Sequence, residues 1–99
     1  MNYKKIAIGI ALTILTGCSS VQGVVRDRET SSPISAATVT VVRTQSSALT
    51  DAVGHYDLMG MFIPGDTLMI NAPSYNISTQ TLKNSSKNYI DVELVPRKR

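Results

Sequence analysis

The sequence predicts an all-β fold, a small antiparallel sandwich of two sheets and about seven strands that follows an N-terminal leader. Apolar and polar residues alternate along the chain after residue 20, as at Ala37, Val39 and Val41, which is the period of a half-buried strand. Turn-forming residues, such as those at 64–66, interrupt the alternation at short intervals. No stretch after Cys18 has the sustained spacing of an amphipathic helix. These patterns are together typical of a sandwich.

The leader comprises residues 1–17 and is predicted to be a signal peptide. Lys4 and Lys5 form a positive start, and residues 6–15 are almost wholly apolar. Ten residues make only about 15 Å of helix, whereas a hydrocarbon core is about 30 Å thick. A stable transmembrane span is therefore the weaker interpretation.

Cys18, the only cysteine of the chain, closes the leader in the sequence Leu15-Thr16-Gly17-Cys18. This sequence resembles the lipobox of bacterial lipoproteins. The resemblance implies diacylglycerol on the Cys18 sulfur, cleavage before Cys18, and acylation of the new amino terminus by a fatty acid such as palmitate. A buried thiol or an intermolecular disulfide is the alternative.

By the same resemblance, Ser19 after the cysteine favours the outer membrane, with a Gram-positive surface as the alternative. Residues 18–20 are predicted to be the lipidated tether, so the membrane is the first predicted partner.

Cleavage of the leader changes the charge of the protein. The whole chain has a formal net charge of +3, but loss of Lys4 and Lys5 leaves eight basic against seven acidic residues. Three of the eight lie in the basic tail, residues 96–99. Export and the lack of a basic patch interleaved with aromatic residues argue against nucleic acid as a partner. The remaining 82 residues (99 − 17) suit one small domain.

The strands of this domain are predicted from the alternation and from the turns between them. Asp51 and Asp66 are expected to accept backbone hydrogen bonds in their turns, and Gly54 to take a positive φ. Tyr56 is expected to bury its ring and to need a partner for its hydroxyl. The predicted strands are at residues 21–26, 37–41, 48–50, 56–58, 68–72, 77–82 and 90–94.

Four segments in order resemble the carboxypeptidase regulatory-like domain, a transthyretin-like β-sandwich, over residues 21–95. Residues 21–27 (VQGVVRD) resemble its opening strand, and residues 33–41 (PISAATVTV) its Pro-hydrophobic-x-x-Ala-x-Val-x-Val segment. Residues 50–58 (TDAVGHYDL) resemble its Thr-Asp-x-x-Gly-x-Tyr-x-Leu signature, and residues 58–75 the segment that follows. Ser74 departs from the pattern, since the family usually has Gly before the Tyr. The resemblance implies a domain that assists the folding or contacts of larger proteins and performs no chemistry.

Candidate catalytic and metal sites are poorly supported. His55, the sole histidine, is expected to point to solvent, opposite Tyr56, and no neighbouring residues supply a recognisable catalytic or metal-binding set. Four aspartates could be imagined as calcium ligands, but they lack the dense spacing of a calcium loop. They are Asp27, Asp51, Asp57 and Asp66. We therefore predict no catalytic residue, no metal and no cofactor.

The apolar cluster of Met59, Met61, Phe62 and Ile63 precedes the turn at 64–66. Methionine is adaptable at binding surfaces, so Met59, Met61 and Phe62 are candidate contacts for an envelope protein partner. The alternative is that these residues plug one end of the core.

The sequence thus predicts a non-enzymatic, lipid-anchored envelope protein that faces the periplasm and acts as an adaptor or accessory interaction domain. The alternative is a module that binds glycan or peptide at the cell surface. Few aromatic residues are available as platforms for such a ligand, because Trp is absent and only four Tyr occur.

Overall fold

The computed structural model of the protein describes residues 19–98, which form eight β-strands and no helix. Accordingly, this part of the chain contains no helix that could cross a membrane. The predicted signal peptide, Cys18 and Arg99 lie outside the described residues. The strands are β1 Ser19–Asp27, β2 Thr38–Val41, β3 Ser46–Leu49, β4 His55–Gly60, β5 Thr67–Asn71, β6 Ser78–Thr81, β7 Lys87–Tyr89 and β8 Val92–Leu94.

The strands form two four-stranded sheets, which confirms the predicted all-β sandwich. In the first sheet the order is β4-β1-β7, and β8 also pairs with β1. In the second sheet the order is β3-β2-β5-β6. The inward faces of both sheets supply the core, including Val21, Val25, Val39, Leu68 and Ile70, which have no exposed surface.

Burial in the structure follows the alternation of apolar and polar residues from which the strands were predicted. Every second residue of β1 is buried from Ser19 to Asp27, and β4 buries Tyr56 and Leu58 while it exposes Asp57 and Met59. Because successive side chains of a strand point to opposite faces, each strand of the first sheet has one core face and one outer face.

The pairing of β1 is not wholly antiparallel, which corrects the predicted arrangement. β1 pairs antiparallel with β4 but parallel with β7 and β8. β6 ends beside the start of β5, and residues 82–86 then lead to the start of β1, where Ser20 pairs with Lys87. The chain therefore returns alongside β1 in the same direction.

The final strand, predicted as one element at residues 90–94, is divided in two. The break is at Ile90 and Asp91, between β7 and β8. The Ile90 N–H donates to the Gln22 carbonyl at 2.8 Å, but the Ile90 carbonyl accepts the Tyr56 hydroxyl at 2.6 Å. The Asp91 carboxylate accepts the Val24 N–H at 3.0 Å, as a strand carbonyl would. The Asp91 carboxylate and the Tyr56 hydroxyl thus replace regular backbone pairing at this point.

β3 begins earlier than predicted and ends before Thr50. The Thr50 hydroxyl is buried, donates to the Ile34 carbonyl at 2.6 Å and accepts the Ala37 N–H at 2.9 Å. The Thr50 side chain therefore fastens the loop before β2, and its backbone also pairs with this loop: its N–H donates to the Ala37 carbonyl, and its carbonyl accepts the Ala36 N–H, both at 3.0 Å.

The turns agree with the sequence in two informative places. Gly54 has a φ of 79°, as predicted for its turn. Ser74 has a φ of 70°, so it adopts the left-handed conformation that the glycine of the family pattern would take without a penalty.

Candidate functional site

The outer face of the first sheet carries half-buried side chains on its central strand and exposed side chains on the neighbouring strands. β1 contributes Ser20, Gln22 and Val24 to this face. Ser20 and Gln22 each lie between a residue of β4 and a residue of β7, and Val24 lies beside a residue of β4. The rows are Met59–Ser20–Lys87, Asp57–Gln22–Tyr89 and His55–Val24. Two large side chains flank the polar centre, since Met59 is 63% and Tyr89 is 76% exposed.

An open groove of about 590 Å³ lies on this face, over β1, β7 and the loop that precedes β7. Its lining residues are Ser20, Gln22, Asn84, Lys87, Asn88 and Tyr89. The Asn88 side chain fixes the backbone of the loop at one side of the groove. Its amide donates to the Asn84 carbonyl at 3.0 Å and accepts the Lys83 and Asn84 N–H groups. A smaller groove of about 210 Å³ lies beside β6 and shares Tyr89, Asn84 and Asn88 with the first. The groove offers an amide, an ammonium and an aromatic ring to a polar ligand.

The structure divides the predicted methionine cluster. Met59 is on the outer face, and Met61 and Ile63 are 68% and 51% exposed in the loop after β4. Phe62 is 3% exposed and packs in the core, which corrects its assignment as a surface contact. Its backbone N–H is held by the Ser19 hydroxyl at 3.3 Å, so the ring turns inward between its exposed neighbours. A partner contact at Met59 and Met61 stays a prediction.

An ion pair organises the loop of Met61 and Ile63. Arg43 reaches both carboxylate oxygens of Asp66, from Nε at 2.7 Å and from Nη2 at 2.9 Å, and also donates to the Met61 carbonyl at 3.0 Å. The Ile63 N–H donates to the same carboxylate at 3.0 Å. Arg43, and then the Ile63 N–H, hold the pKa of Asp66 below its usual value because they stabilise the charged form.

Asp27 and Asp51 also serve their own loops. Asp51 accepts the N–H groups of His55 and Val53 at 2.9 and 3.0 Å, as predicted, and these bonds lower its pKa. The Tyr75 hydroxyl donates to Asp27 at 2.6 Å and is the first cause of the lowered pKa of Asp27. The same hydrogen bond raises the pKa of Tyr75.

His55 lies on the outer face of β4, opposite the buried Tyr56, as predicted. Its Nδ1 is 4.0 Å from the Asp51 carboxylate. Among residues 19–98, no three His, Cys, Asp or Glu side chains gather where they could hold a metal ion. His55 and Asp51 therefore form a pair without a third ligand in the described part of the chain.

The boundaries of the predicted tether and tail also change. Ser19 and Ser20 belong to β1, and Ser19 is buried, so residues 19–20 are part of the domain and not a spacer. At the other end, Pro96 forms a bridge with Tyr75, and the Arg97 N–H donates to the Ser74 carbonyl at 2.8 Å. The start of the basic tail is thus attached to the sandwich.

The groove and Tyr89 were not predicted as a site. The alternation of Ile90, Val92 and Leu94 did place Tyr89 on the opposite, outward face, so one signal was present in the sequence. The parallel partnership that brings Tyr89 beside Gln22 had no local signal, because their pairing joins residues far apart in the chain.

Comparison with known proteins gives one family match and several similar folds. The family model of the carboxypeptidase regulatory-like domain matches residues 20–95. No curated protein matches the sequence at a significant level.

Two solved structures illustrate the similarity of the fold. A chain in the crystal structure of a type II cohesin–X-dockerin complex from Acetivibrio cellulolyticus is 21% identical, with a TM-score of 0.63 over 75% of this chain and 52% of that chain. A double mutant of the shaft pilin SpaA from Lactobacillus rhamnosus GG is 16% identical, with a TM-score of 0.49 over 83% of this chain and 47% of that one. The chain spans about half the length of these solved chains, and at this identity the first likeness concerns the fold alone.

Proposed function

This chain belongs to the carboxypeptidase regulatory-like domain family, and on that premise we propose that it is a non-catalytic protein-interaction domain anchored to a membrane of the bacterial envelope. Lipid on Cys18 is the anchor, and an envelope protein is the partner. Outer-membrane attachment facing the periplasm is part of the proposal, and it depends on the lipobox resemblance and on Ser19.

The outer face of the first sheet is the observation that carries the interaction function. Its exposed Met59 and Tyr89 are the kinds of side chain that are enriched in protein interfaces, and they flank the polar Gln22. A flexible methionine and a rigid aromatic ring on a fixed sheet offer a partner large contact areas without a change of backbone.

The short connection to Cys18 supports the anchoring role. β1 starts at Ser19, so an acylated Cys18 would join its lipid to the central strand of the first sheet without a spacer. Two or more acyl chains give stable attachment where a single chain is marginal.

The roles of three aspartates support a function without catalysis. The carboxylates of Asp27, Asp51 and Asp66 already accept hydrogen bonds from backbone N–H groups, a tyrosine and an arginine. Their pKa values are lowered, so these groups are poor general bases near neutral pH.

Labelling and crosslinking in living cells test the proposal. A fatty-acid analogue is expected to label the wild type and not Cys18→Ser; a labelled Cys18→Ser variant would contradict the anchor. A photocrosslinking residue at Met59 or Tyr89 should capture one protein repeatedly, whereas the same residue at exposed Leu49 of the second sheet should not. Equal capture at all three positions would contradict an interface on the first sheet.

The groove beside Tyr89 favours one second function, the binding of a glycan or peptide. Tyr89 can stack against a sugar ring, and Gln22 and Lys87 can donate hydrogen bonds in the same groove. A glycan array is expected to show binding to one glycan class that Tyr89→Ala abolishes and Leu49→Ala preserves. Binding that survives Tyr89→Ala would exclude the groove as its site.

A further inference from the structure

One end of the sandwich, here called the anchor end, is built around the residue that follows Cys18. It consists of Ser19 and the three loops at residues 42–45, 61–66 and 82–86. Ser19 pairs with Gly60 at the end of β4, and Ser20 pairs with Lys87 at the start of β7. The Val42 N–H donates to the Thr67 carbonyl, and the Gly65 N–H to the Leu82 carbonyl, so the three loops lie together.

The Ser19 side chain connects the anchor position to two of these loops. Its hydroxyl donates to the Ser85 carbonyl at 2.7 Å and accepts the Phe62 N–H at 3.3 Å. One residue of chain advances by at most about 3.6 Å. A lipid on Cys18 would therefore hold both loops at the membrane surface.

Apolar side chains at the anchor end point away from the core. Met61 is 68% and Ile63 is 51% exposed, and Val42 is also exposed. The Arg43–Asp66 ion pair and its hydrogen bonds to Met61 and Ile63 fix the backbone that presents them. Their exposure is thus a property of an ordered loop.

The distribution of charge over the described residues sets the anchor end apart. Lys83 and Lys87 are exposed there, and Arg43 is half exposed. The one acidic residue at this end is Asp66, which is buried and paired with Arg43. The other acidic residues lie at the level of Gln22 in β1 or farther from Ser19; they are Asp27, Glu29, Asp51, Asp57, Asp91 and Glu93.

From this arrangement we propose that the anchor end rests on an anionic phospholipid bilayer, with Met61 and Ile63 inserted at the boundary between headgroups and acyl chains. Lys83 and Lys87 face the phosphate groups. The inference rests on the proposed lipid attachment at Cys18. In this orientation β1 rises from the membrane, and Tyr75 and Arg97 lie at the distant end. Met61 contacts lipid, which leaves Met59 and Tyr89 for a protein partner.

Single tryptophan residues test this orientation, because the chain has none of its own. The purified acylated protein is reconstituted in vesicles of equal parts phosphatidylcholine and phosphatidylglycerol with bromine-labelled acyl chains. Met61→Trp and Ile63→Trp are compared with Val53→Trp, whose native side chain is 64% exposed in the turn before β4, away from the anchor end. Emission of the first two variants should shift to shorter wavelength and be quenched several-fold more than that of Val53→Trp.

Charge reversal gives a second test of the same contact. Adding Lys83→Glu and Lys87→Glu to Met61→Trp should reduce the quenching, and vesicles of phosphatidylcholine alone should do the same. If neither the lysine substitutions nor the phosphatidylcholine vesicles reduce the quenching, the contact of Lys83 and Lys87 with lipid phosphate is contradicted.

The outcomes separate this inference from the anchoring proposal. Mass spectrometry of the same sample shows whether Cys18 is acylated. If it is acylated and Met61→Trp and Ile63→Trp are quenched no more than Val53→Trp, the orientation is overturned and the anchor stands. If Cys18 carries no lipid, the anchor fails and this inference falls with it. Shielding of both Trp residues in native envelopes but not in vesicles would assign the anchor end to a protein and overturn the lipid contact.

Discussion

The Tyr56 hydroxyl donates a 2.6 Å hydrogen bond to the Ile90 carbonyl at the point where β1 carries Gly23. This bond joins β4 to the break between β7 and β8 across the central strand. The hydroxyl is a donor at neutral pH even with the ordinary tyrosine pKa of about 10, and burial raises the pKa of Tyr56 further. The absence of a side chain at Gly23 is what allows the two groups to meet.

Replacement of Gly23 by alanine should be severely destabilising. The new Cβ would lie 1.8 Å from the Ile90 carbonyl oxygen and 3.1 Å from the Tyr56 hydroxyl, so backbone must move. We expect Gly23→Ala to lower the free energy of unfolding by about 3 kcal/mol or more, measured by urea denaturation. Gly65→Ala is the control, since its Cβ meets nothing within 4 Å and its φ of 96° costs about 1–2 kcal/mol. Equal losses would show that Gly23 is not the crowded position.

Loss of the Tyr56 hydroxyl should have a smaller effect. Tyr56→Phe keeps the buried ring but leaves the Ile90 carbonyl without this donor. We expect a loss of about 1–2 kcal/mol in the free energy of unfolding. Tyr89→Phe, at an exposed ring, should stay within about 0.5 kcal/mol of the wild type. A neutral Tyr56→Phe would mean that water replaces the hydroxyl at no cost.

Phe62 and Met61 are neighbours, but their replacement by alanine should affect the free energy of unfolding very differently. Phe62→Ala removes a ring from the core and should cost about 3–5 kcal/mol, whereas exposed Met61→Ala should cost less than about 0.5 kcal/mol. Thermal and urea unfolding of both variants measure the difference. Similar stability of the two would contradict the division of the methionine cluster into core and surface.

Ser74 offers a stabilising substitution. Its φ of 70° is strained for a residue with a side chain, and glycine adopts it freely. After the greater chain entropy of unfolded glycine is allowed for, Ser74→Gly should raise the free energy of unfolding by about 0.5–1 kcal/mol. Ser35→Gly, at a position without a positive φ, should lower it. A destabilised Ser74→Gly would show that the hydroxyl matters more than the backbone.

Stability should fall at acidic pH because the pKa of Asp66 is lowered in the folded protein by Arg43. The unfolded chain takes up the proton first, near the ordinary Asp pKa of about 3.9. The contribution of Asp66 is therefore complete above that pH and is lost as the pH falls through the lower folded pKa. Urea denaturation at pH 7 and at acidic pH should show a smaller pH dependence for Asp66→Asn than for the wild type. Asp57→Asn, at an exposed carboxylate on the outer face, is the control, and a wild-type pH dependence in Asp66→Asn would contradict the assignment.

Local features of the fold could be predicted from local sequence. Strict alternation identified Ala37, Val39 and Val41 as inward-facing, and all three are fully buried. The turn with Asp51 and Gly54 followed from residue types whose hydrogen bonds lie within a few positions. Such patterns are readable because their physical cause is contained in a short stretch of chain.

Features that depend on distant partners could not be predicted in the same way. The inward turn of Phe62 depends on Ser19, and the shape of its loop depends on Arg43, which lies in the other sheet's β2–β3 connection. Likewise, nothing adjacent to Ile90 indicates that its carbonyl will meet Tyr56. Which distant residues come into contact depends on the tertiary fold, and the alternation of apolar and polar residues along one strand does not specify it.

The parallel pairing of β1 has a consequence for how the domain forms. β1 is the first of the described strands to be synthesised, and β7 and β8 are the last, so one edge of the central strand has no partner until almost the whole chain is available. Pairings between the two ends of a chain are slow to form because a long loop must close first. We therefore expect the pairing of β1 with β7 and β8 to form late in folding. Truncation before Lys87, which removes both β7 and β8, should thus leave one edge of β1 open and prone to aggregation.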